Sequence, residues 1–140
     1  MTEEVFHLQN TCRVIIIDNL AQPFCDDGCN SYEIFDLVSD RYGVYMFLER
    51  ECGKVLYVGE AYEQDLKCRI TQNYTERDTG GTFRKNWCEP EEREFSEFQA
   101  KLSSWKILTI SSETNTDETK NWIHACEKTL IGLCTPLYNK

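Results

Sequence analysis

The chain has 140 residues and a formal net charge of −9, from 24 acidic and 15 basic side chains. Its length is sufficient for one domain with a hydrophobic core of its own. The longest apolar run, Val14–Ile17, is far too short to span a membrane. The acidic balance argues against a protein that binds phosphates over a broad surface.

The acidity is concentrated at the amino-terminal end. Residues 1–42 hold eight acids and two bases, whereas residues 43–140 hold sixteen acids and thirteen bases. Within 65–86 five bases outnumber three acids, which predicts a locally basic patch on an acidic protein. We interpret residues 1–42 as an acidic extension packed on the domain, and a basic protein partner for this extension remains open.

The amino terminus carries no sign of export. Residues 1–4 lack the basic and apolar segments of a secretory signal, so we expect an intracellular, cytoplasmic protein with reduced thiols. No Cys-x2-Cys pair is present, which makes a zinc site the weaker alternative. That site would use Cys25, Cys29, Cys88, His124 and Cys126. Otherwise we expect His124 to be structural or exposed.

A strand, a short helix and a hairpin are predicted in the first half of the chain. Residues 12–18 are rich in β-branched side chains and predict a strand, residues 22–30 a turn-rich loop, and residues 32–38 a short helix capped by Ser31. Residues 44–48 and 54–58 are joined by a turn and predict an antiparallel hairpin. On that hairpin Tyr45 and Tyr57 come near each other across the strands.

A helix is predicted over residues 65–74. Leu66, Ile70 and Tyr74 recur at four-residue steps as its buried stripe, which leaves Arg69 and Asn73 on a neighbouring face. Residues 78–87 follow as a glycine-containing loop. In this loop Arg84, Lys85 and Trp87 are candidates for phosphate pairing and base stacking. The alternative is an ordered surface turn with a buried tryptophan.

The last two elements are a strand over 105–110 and a long helix over 117–133. The apolar arc of this helix comprises Trp122, Ile123, Cys126, Leu130, Leu133 and Cys134. Glu127 lies at the edge of the arc, where a half-desolvated carboxylate needs a cation or a metal as partner. The alternative is an ordinary helix salt bridge. The predicted class is α+β, with a small, mainly antiparallel central sheet flanked by helices.

Five motifs occur in a recognisable order along residues 43–139. They are Gly43-Val44-Tyr45, Tyr57-Val58-Gly59, Arg69, the Glu127–Ile131 segment and Pro136-Leu137-Tyr138-Asn139. In this order they resemble the GIY-YIG nuclease family, whose name spells the first two motifs. The resemblance implies that residues 43–140 form a GIY-YIG-like domain that cleaves DNA.

The resemblance also implies roles for individual residues. Glu127 would hold one Mg²⁺ or Mn²⁺, a hard cation that prefers oxygen ligands. Arg69 would face the scissile phosphate as a bidentate donor, its alternative being a solvated helix arginine. Tyr45 and Tyr57 would line the site and position or deprotonate the attacking water. The alternative for Tyr45 is strand packing.

The remaining contacts to substrate are assigned to Tyr74, Arg84, Lys85 and Asn139. Two positions depart from the family pattern. Many members carry His or Tyr four residues after the arginine, where this chain has Asn73, and some carry Lys after the second motif, where it has Glu60. The rival interpretation is therefore a catalytically weak or inactive module of the same fold that binds nucleic acid or protein.

Overall fold

The computed structural model describes residues 3–7, 12–24 and 32–139 of the chain. Its framework is a five-stranded antiparallel sheet in the order β1-β2-β5-β3-β4. The strands are β1 (Glu3–His7), β2 (Arg13–Ile17), β3 (Tyr42–Glu49), β4 (Val55–Ala61) and β5 (Trp105–Ser112). An antiparallel sheet flanked by helices confirms the predicted α+β class.

The two hairpins of the sheet are joined by its last strand. β1 pairs with β2 and β3 pairs with β4, as neighbours in sequence do, while β5 pairs with both β2 and β3. The predicted strands over 12–18, 44–48, 54–58 and 105–110 are therefore confirmed. The acidic extension supplies two strands of the common sheet, and the division at residue 42 falls within β3.

Within the described residues, four α-helices surround the sheet. They are α1 (Leu66–Thr71), α2 (Thr82–Cys88), α3 (Phe95–Lys101) and α4 (Asp117–Cys134). Short 3₁₀ segments lie at Gln22–Phe24, Glu33–Val38, Gln72–Tyr74 and Leu102–Ser104. No helix within the described ranges combines the length and the apolar character that a membrane crossing requires.

Some predicted boundaries of helices and loops were wrong, and others fall outside the described residues. The segment 78–87 is not a continuous loop, because α2 begins at Thr82, and α3 was not predicted. The helix over 65–74 passes into a 3₁₀ turn at Gln72. The predicted Ser31 cap and most of the 22–30 loop lie outside the described residues.

The two faces of the sheet carry separate hydrophobic clusters. Phe47 and Tyr57 point to the face covered by α1, α2 and α3, where Phe83 lies at the centre of an aromatic cluster. Val44 and Val58 point to the face covered by α4, against Ile123. The alternation of side chains along a strand produces this division. Leu133 does not join the second cluster as predicted, since it is 77% exposed.

The carboxyl-terminal segment lies along β4. The backbone N–H of Tyr138 donates to the carbonyl of Leu56 at 2.9 Å. The Asn139 side chain accepts a hydrogen bond from the N–H of Val58 and donates one to its carbonyl, both at 2.8 Å. These bonds occupy part of the free edge of β4, where the candidate site begins.

Candidate functional site at the end of strand β4

Two buried tyrosines form the floor of the candidate site. Tyr45 is 1% exposed and Tyr57 is 6% exposed, and their ring centroids are 6.1 Å apart. Tyr45 pairs in register with Gly59, and its ring lies over that glycine. A Cβ at position 59 would lie 2.4 Å from Tyr45 Cζ. The absence of a side chain at Gly59 is therefore what allows the Tyr45 ring to take its place.

The hydroxyls of Tyr45 and Tyr57 influence each other's ionisation, and Thr82 at the start of α2 also acts on Tyr57. Burial is the main reason that the pKa of each phenol lies above its usual value, and the proximity of Tyr57 raises the pKa of Tyr45 further. Arg69 opposes these effects on both phenols. Both tyrosines are consequently neutral hydrogen-bonding groups at physiological pH.

Arg69 is held on α1 next to the phenols. Asp65 caps α1 by accepting a hydrogen bond from the N–H of Cys68 at 2.8 Å. The Arg69 guanidinium donates to Gln72 Oε1 at 2.9 Å and to the carbonyl of Gly80 at 3.1 Å, both through Nη1. The guanidinium is thus oriented through one nitrogen. It borders a cavity of about 280 Å³ that runs from Glu60 to Gln64.

Glu127 approaches the same place from α4. Its side chain is half-buried, and it acts electrostatically on Tyr45 and Tyr57. Burial and then the neighbouring Glu60 raise the pKa of the Glu127 carboxyl, while Lys128, His124 and Arg69 lower it. The four residues that sequence analysis placed in one site, Tyr45, Tyr57, Arg69 and Glu127, therefore act on one another in the structure.

A glutamate–histidine pair adjoins Glu127 and was not predicted. His124 Nδ1 lies 2.8 Å from Glu60 Oε1 and 2.9 Å from Oε2. The His124 ring also makes an edge contact with Tyr62 at a centroid distance of 4.8 Å. His124 was expected to be structural or exposed and is 37% exposed. The only sequence signal was its position three residues before Glu127 on one helix, because Glu60 is 64 residues away.

Two residues assigned to the substrate serve the fold instead. Tyr74 is buried, and its hydroxyl donates to the carbonyl of Leu20 at 2.7 Å. The Asn139 amide is bonded on both sides to the backbone of Val58, so neither of its polar atoms is directed at a ligand. Asn73, at the position where the resemblance leads one to expect His or Tyr, is fully buried and accepts a hydrogen bond from the N–H of Arg84.

The predicted basic contacts of residues 78–87 also need correction. Arg84 is 5% exposed, and its guanidinium donates to the carbonyls of Gln72, Thr75 and Asp78. It is a buried cross-link and not a phosphate contact. Trp87 is buried too, with the Arg93 guanidinium 4.2 Å from its ring centroid. This agrees with the alternative of a buried tryptophan in an ordered segment.

Lys85 alone among these candidates keeps a partly exposed polar group. Its Nζ lies 3.4 Å from the carbonyl of Thr79. It borders a second cavity of about 180 Å³ together with Glu76 and Arg93, and not the cavity at Arg69.

The chemistry of Glu127 fits a divalent cation. Such ions are commonly bound by one or two carboxylates, with waters and substrate phosphate completing the shell. Within the described residues no three His, Cys, Asp or Glu side chains are grouped as a metal site, and Glu127 makes no hydrogen bond or ion pair there. A half-desolvated, unpaired carboxylate next to Glu60 is favourable for one cation held mainly through Glu127.

The zinc site considered as an alternative falls partly outside the described residues. Cys25 and Cys29 lie outside the described residues. Cys88 and Cys126, in the part of the chain that the structure describes, are free thiols whose pKa values are raised mainly by burial.

Comparisons of the chain with models of protein families, with curated proteins and with solved structures gave no match. The site is therefore interpreted from the chemistry and geometry of this chain.

Proposed function

We propose that the protein is a metal-dependent endonuclease that hydrolyses phosphodiester bonds in DNA, built on a GIY-YIG-type domain. The observation that carries the proposal is the meeting of two adjacent buried phenols, one oriented guanidinium and one unpaired carboxylate at the end of β4. The proposal includes an intracellular location.

Arg69 is the group suited to the scissile phosphate. Nη1 is engaged by Gln72 and Gly80, while among the described residues no bond involves Nη2 or Nε. Guanidinium N–H groups match phosphate oxygens and stabilise charge that develops on them during the reaction. Arg69 therefore has the role of electrostatic stabiliser.

Tyr45 and Tyr57 are suited to orienting groups. A phenol whose pKa is raised by burial keeps its proton at neutral pH, so neither tyrosine is a general base in the resting site. Tyr57, buried beside Tyr45, has a hydroxyl that can hold a water or a phosphate oxygen. In the overall reaction one water adds across the P–O bond, and its proton ends on the leaving oxygen.

Glu127 is the residue that would hold Mg²⁺ or Mn²⁺, with the substrate phosphate as a further ligand. A bound cation would supply Lewis acidity and neutralise phosphate charge. Glu60 adds negative charge at this place and is in contact with His124.

The second candidate is a DNA-binding module of the same fold with little catalysis. Two observations favour it: Asn73 is buried in the position where many family members carry His or Tyr, and Glu60 takes the place of a lysine. Both proposals share DNA as the partner and differ in turnover.

A plasmid-nicking assay distinguishes them. We expect wild type to nick supercoiled DNA in Mg²⁺ or Mn²⁺, and Glu127→Ala and Arg69→Ala each to lose this activity while circular dichroism shows an unchanged fold. The matched control is Glu118→Ala, an exposed carboxylate in the first turn of the same helix. Equal nicking by wild type and Glu127→Ala would refute the proposal that the protein is an endonuclease.

A further inference from the structure

The cationic surface next to the site differs from the one that the sequence indicated. Of the five bases in residues 65–86, Arg84 is buried and Lys67 is paired with Asp36 at 2.5 Å. The predicted patch therefore has fewer free charges than its composition suggested. Exposed lysines next to the site lie instead on α4.

Lys120 and Lys128 lie eight residues apart on α4 with His124 midway between them, and the two lysines define a cationic stripe. Four residues advance a helix by about 6 Å and turn it by about 40° beyond a full turn, so the three side chains form one continuous row. Lys120 and Lys128 are exposed. Glu127 lies beside this row, between it and the buried face that holds Ile123.

The cationic stripe is connected to the cavity of the candidate site. Lys120 Nζ lies 4.8 Å from the ring centroid of Tyr62, and Tyr62 lines the cavity that Arg69 borders. His124 contacts Glu60, another residue of that cavity. Lys120 and His124 thus contact residues that line the cavity bordered by Arg69.

We propose that the cationic stripe binds the sugar–phosphate backbone of the DNA strand that passes Glu127. The inference rests on the proposed function and adds to it the surface that holds the substrate. A row of lysine charges beside a cleft complements a chain of phosphates, and each neutralised phosphate releases a counterion. Such contacts fix the position of the strand without reading its sequence.

The acidic residues around the cationic stripe limit its affinity for DNA. Asp117 and Glu118 lie in the first turn of α4, and Glu60 lies beside His124. Two lysines among these acids give modest affinity at low salt. The net charge of −9 adds a general repulsion of DNA, so binding depends on where the lysines lie.

The test is the salt dependence of binding to a fluorescent DNA duplex, measured by anisotropy on full-length Glu127→Gln in EDTA so that no strand is cut. Lys120→Ala and Lys128→Ala should each reduce the slope of log K against log salt by about 1. Between about 50 and about 200 mM salt each variant should then lose roughly threefold less affinity than its parent. Lys101→Ala, an exposed lysine in the last turn of α3, is the matched control and should keep the parental slope.

The outcomes separate this inference from the proposed function. If both α4 variants keep the parental slope of log K against log salt, the cationic stripe does not bind DNA, even if wild type nicks it. A changed slope in Lys101→Ala equal to theirs would also overturn the inference, because the effect would then follow total charge. Reduced slopes in the α4 variants only, without nicking by wild type, would support the surface and refute the enzyme.

Discussion

Gly59→Ala tests the contact on which the arrangement of the two tyrosines depends. The added Cβ would lie 2.4 Å from Tyr45 Cζ, 2.5 Å from its hydroxyl oxygen and 2.7 Å from Cε1. Separations this short exceed what small side-chain adjustments relieve. Tyr45 is only 1% exposed, so its ring has no solvent-filled space into which to move.

The expected cost follows from forcing one methyl group into a filled interior. Overpacking of this kind destabilises a protein by about 1–3 kcal/mol. For a domain of this size that corresponds to a decrease of roughly 3–12 °C in Tm. Since the Tyr45 ring must shift, its contact with the Tyr57 ring should be disturbed, and nicking should fall together with stability.

Thermal and urea unfolding of wild type, Gly59→Ala and Gly132→Ala provide the measurement. Gly132 is the matched control, because its added Cβ meets nothing within 4 Å on the exposed side of α4. Alanine should stabilise that helix by up to about 1 kcal/mol. In a Tyr45→Ala background the cost of Gly59→Ala should largely disappear. Wild-type stability of Gly59→Ala would refute the steric argument.

Three further changes test the supports of the site. Asp65→Ala removes the cap of α1 and should cost about 1 kcal/mol at neutral pH. Burial raises the pKa of Asp65, but hydrogen bonds from backbone N–H groups lower it more, so the folded pKa lies below its usual value; the stability from the cap is therefore present above the unfolded pKa and is lost as the pH falls through the folded pKa. Urea unfolding should accordingly show a difference between wild type and Asp65→Ala that narrows from neutral to acidic pH. Asn139→Ala removes two hydrogen bonds to β4 and should lower the free energy of unfolding by roughly 1–3 kcal/mol in guanidinium titrations, whereas an unchanged midpoint would contradict its structural role. Arg84→Met should cost about 2–4 kcal/mol, because three carbonyls lose their donor, yet DNA affinity of the folded variant should equal wild type; a selective loss of affinity would restore Arg84 as a phosphate contact.

The elements with strong periodicity could be predicted from the sequence. The strands of the β3–β4 hairpin are short apolar runs on either side of a turn, and α4 is long enough for its period to be clear. α2 is seven residues long and follows two glycines, so local pattern favoured a loop. Contacts remote in sequence, such as the bond from the Arg84 N–H to Asn73, stabilise it instead.

The site could be predicted only in part. Tyr45, Tyr57, Arg69 and Glu127 were grouped by a resemblance in the order of their motifs. That order can be read from the sequence alone. Charge alone, however, does not distinguish a buried arginine from an exposed one, and so Arg84 was wrongly placed at the substrate. The contact between Glu60 and His124 depends on α4 crossing β4, which no local pattern reveals.

The central position of β5 has a consequence for how the chain folds. β1 and β2 can pair soon after synthesis, as can β3 and β4, because each hairpin is local. Each hairpin then presents an open edge that only residues 105–112 can close. Such long-range pairing is intrinsically slow, and open edges pair readily with other chains. Aggregation during refolding should therefore depend on how quickly β5 inserts, and substitutions that slow its insertion should lower the yield of folded protein without changing its final stability.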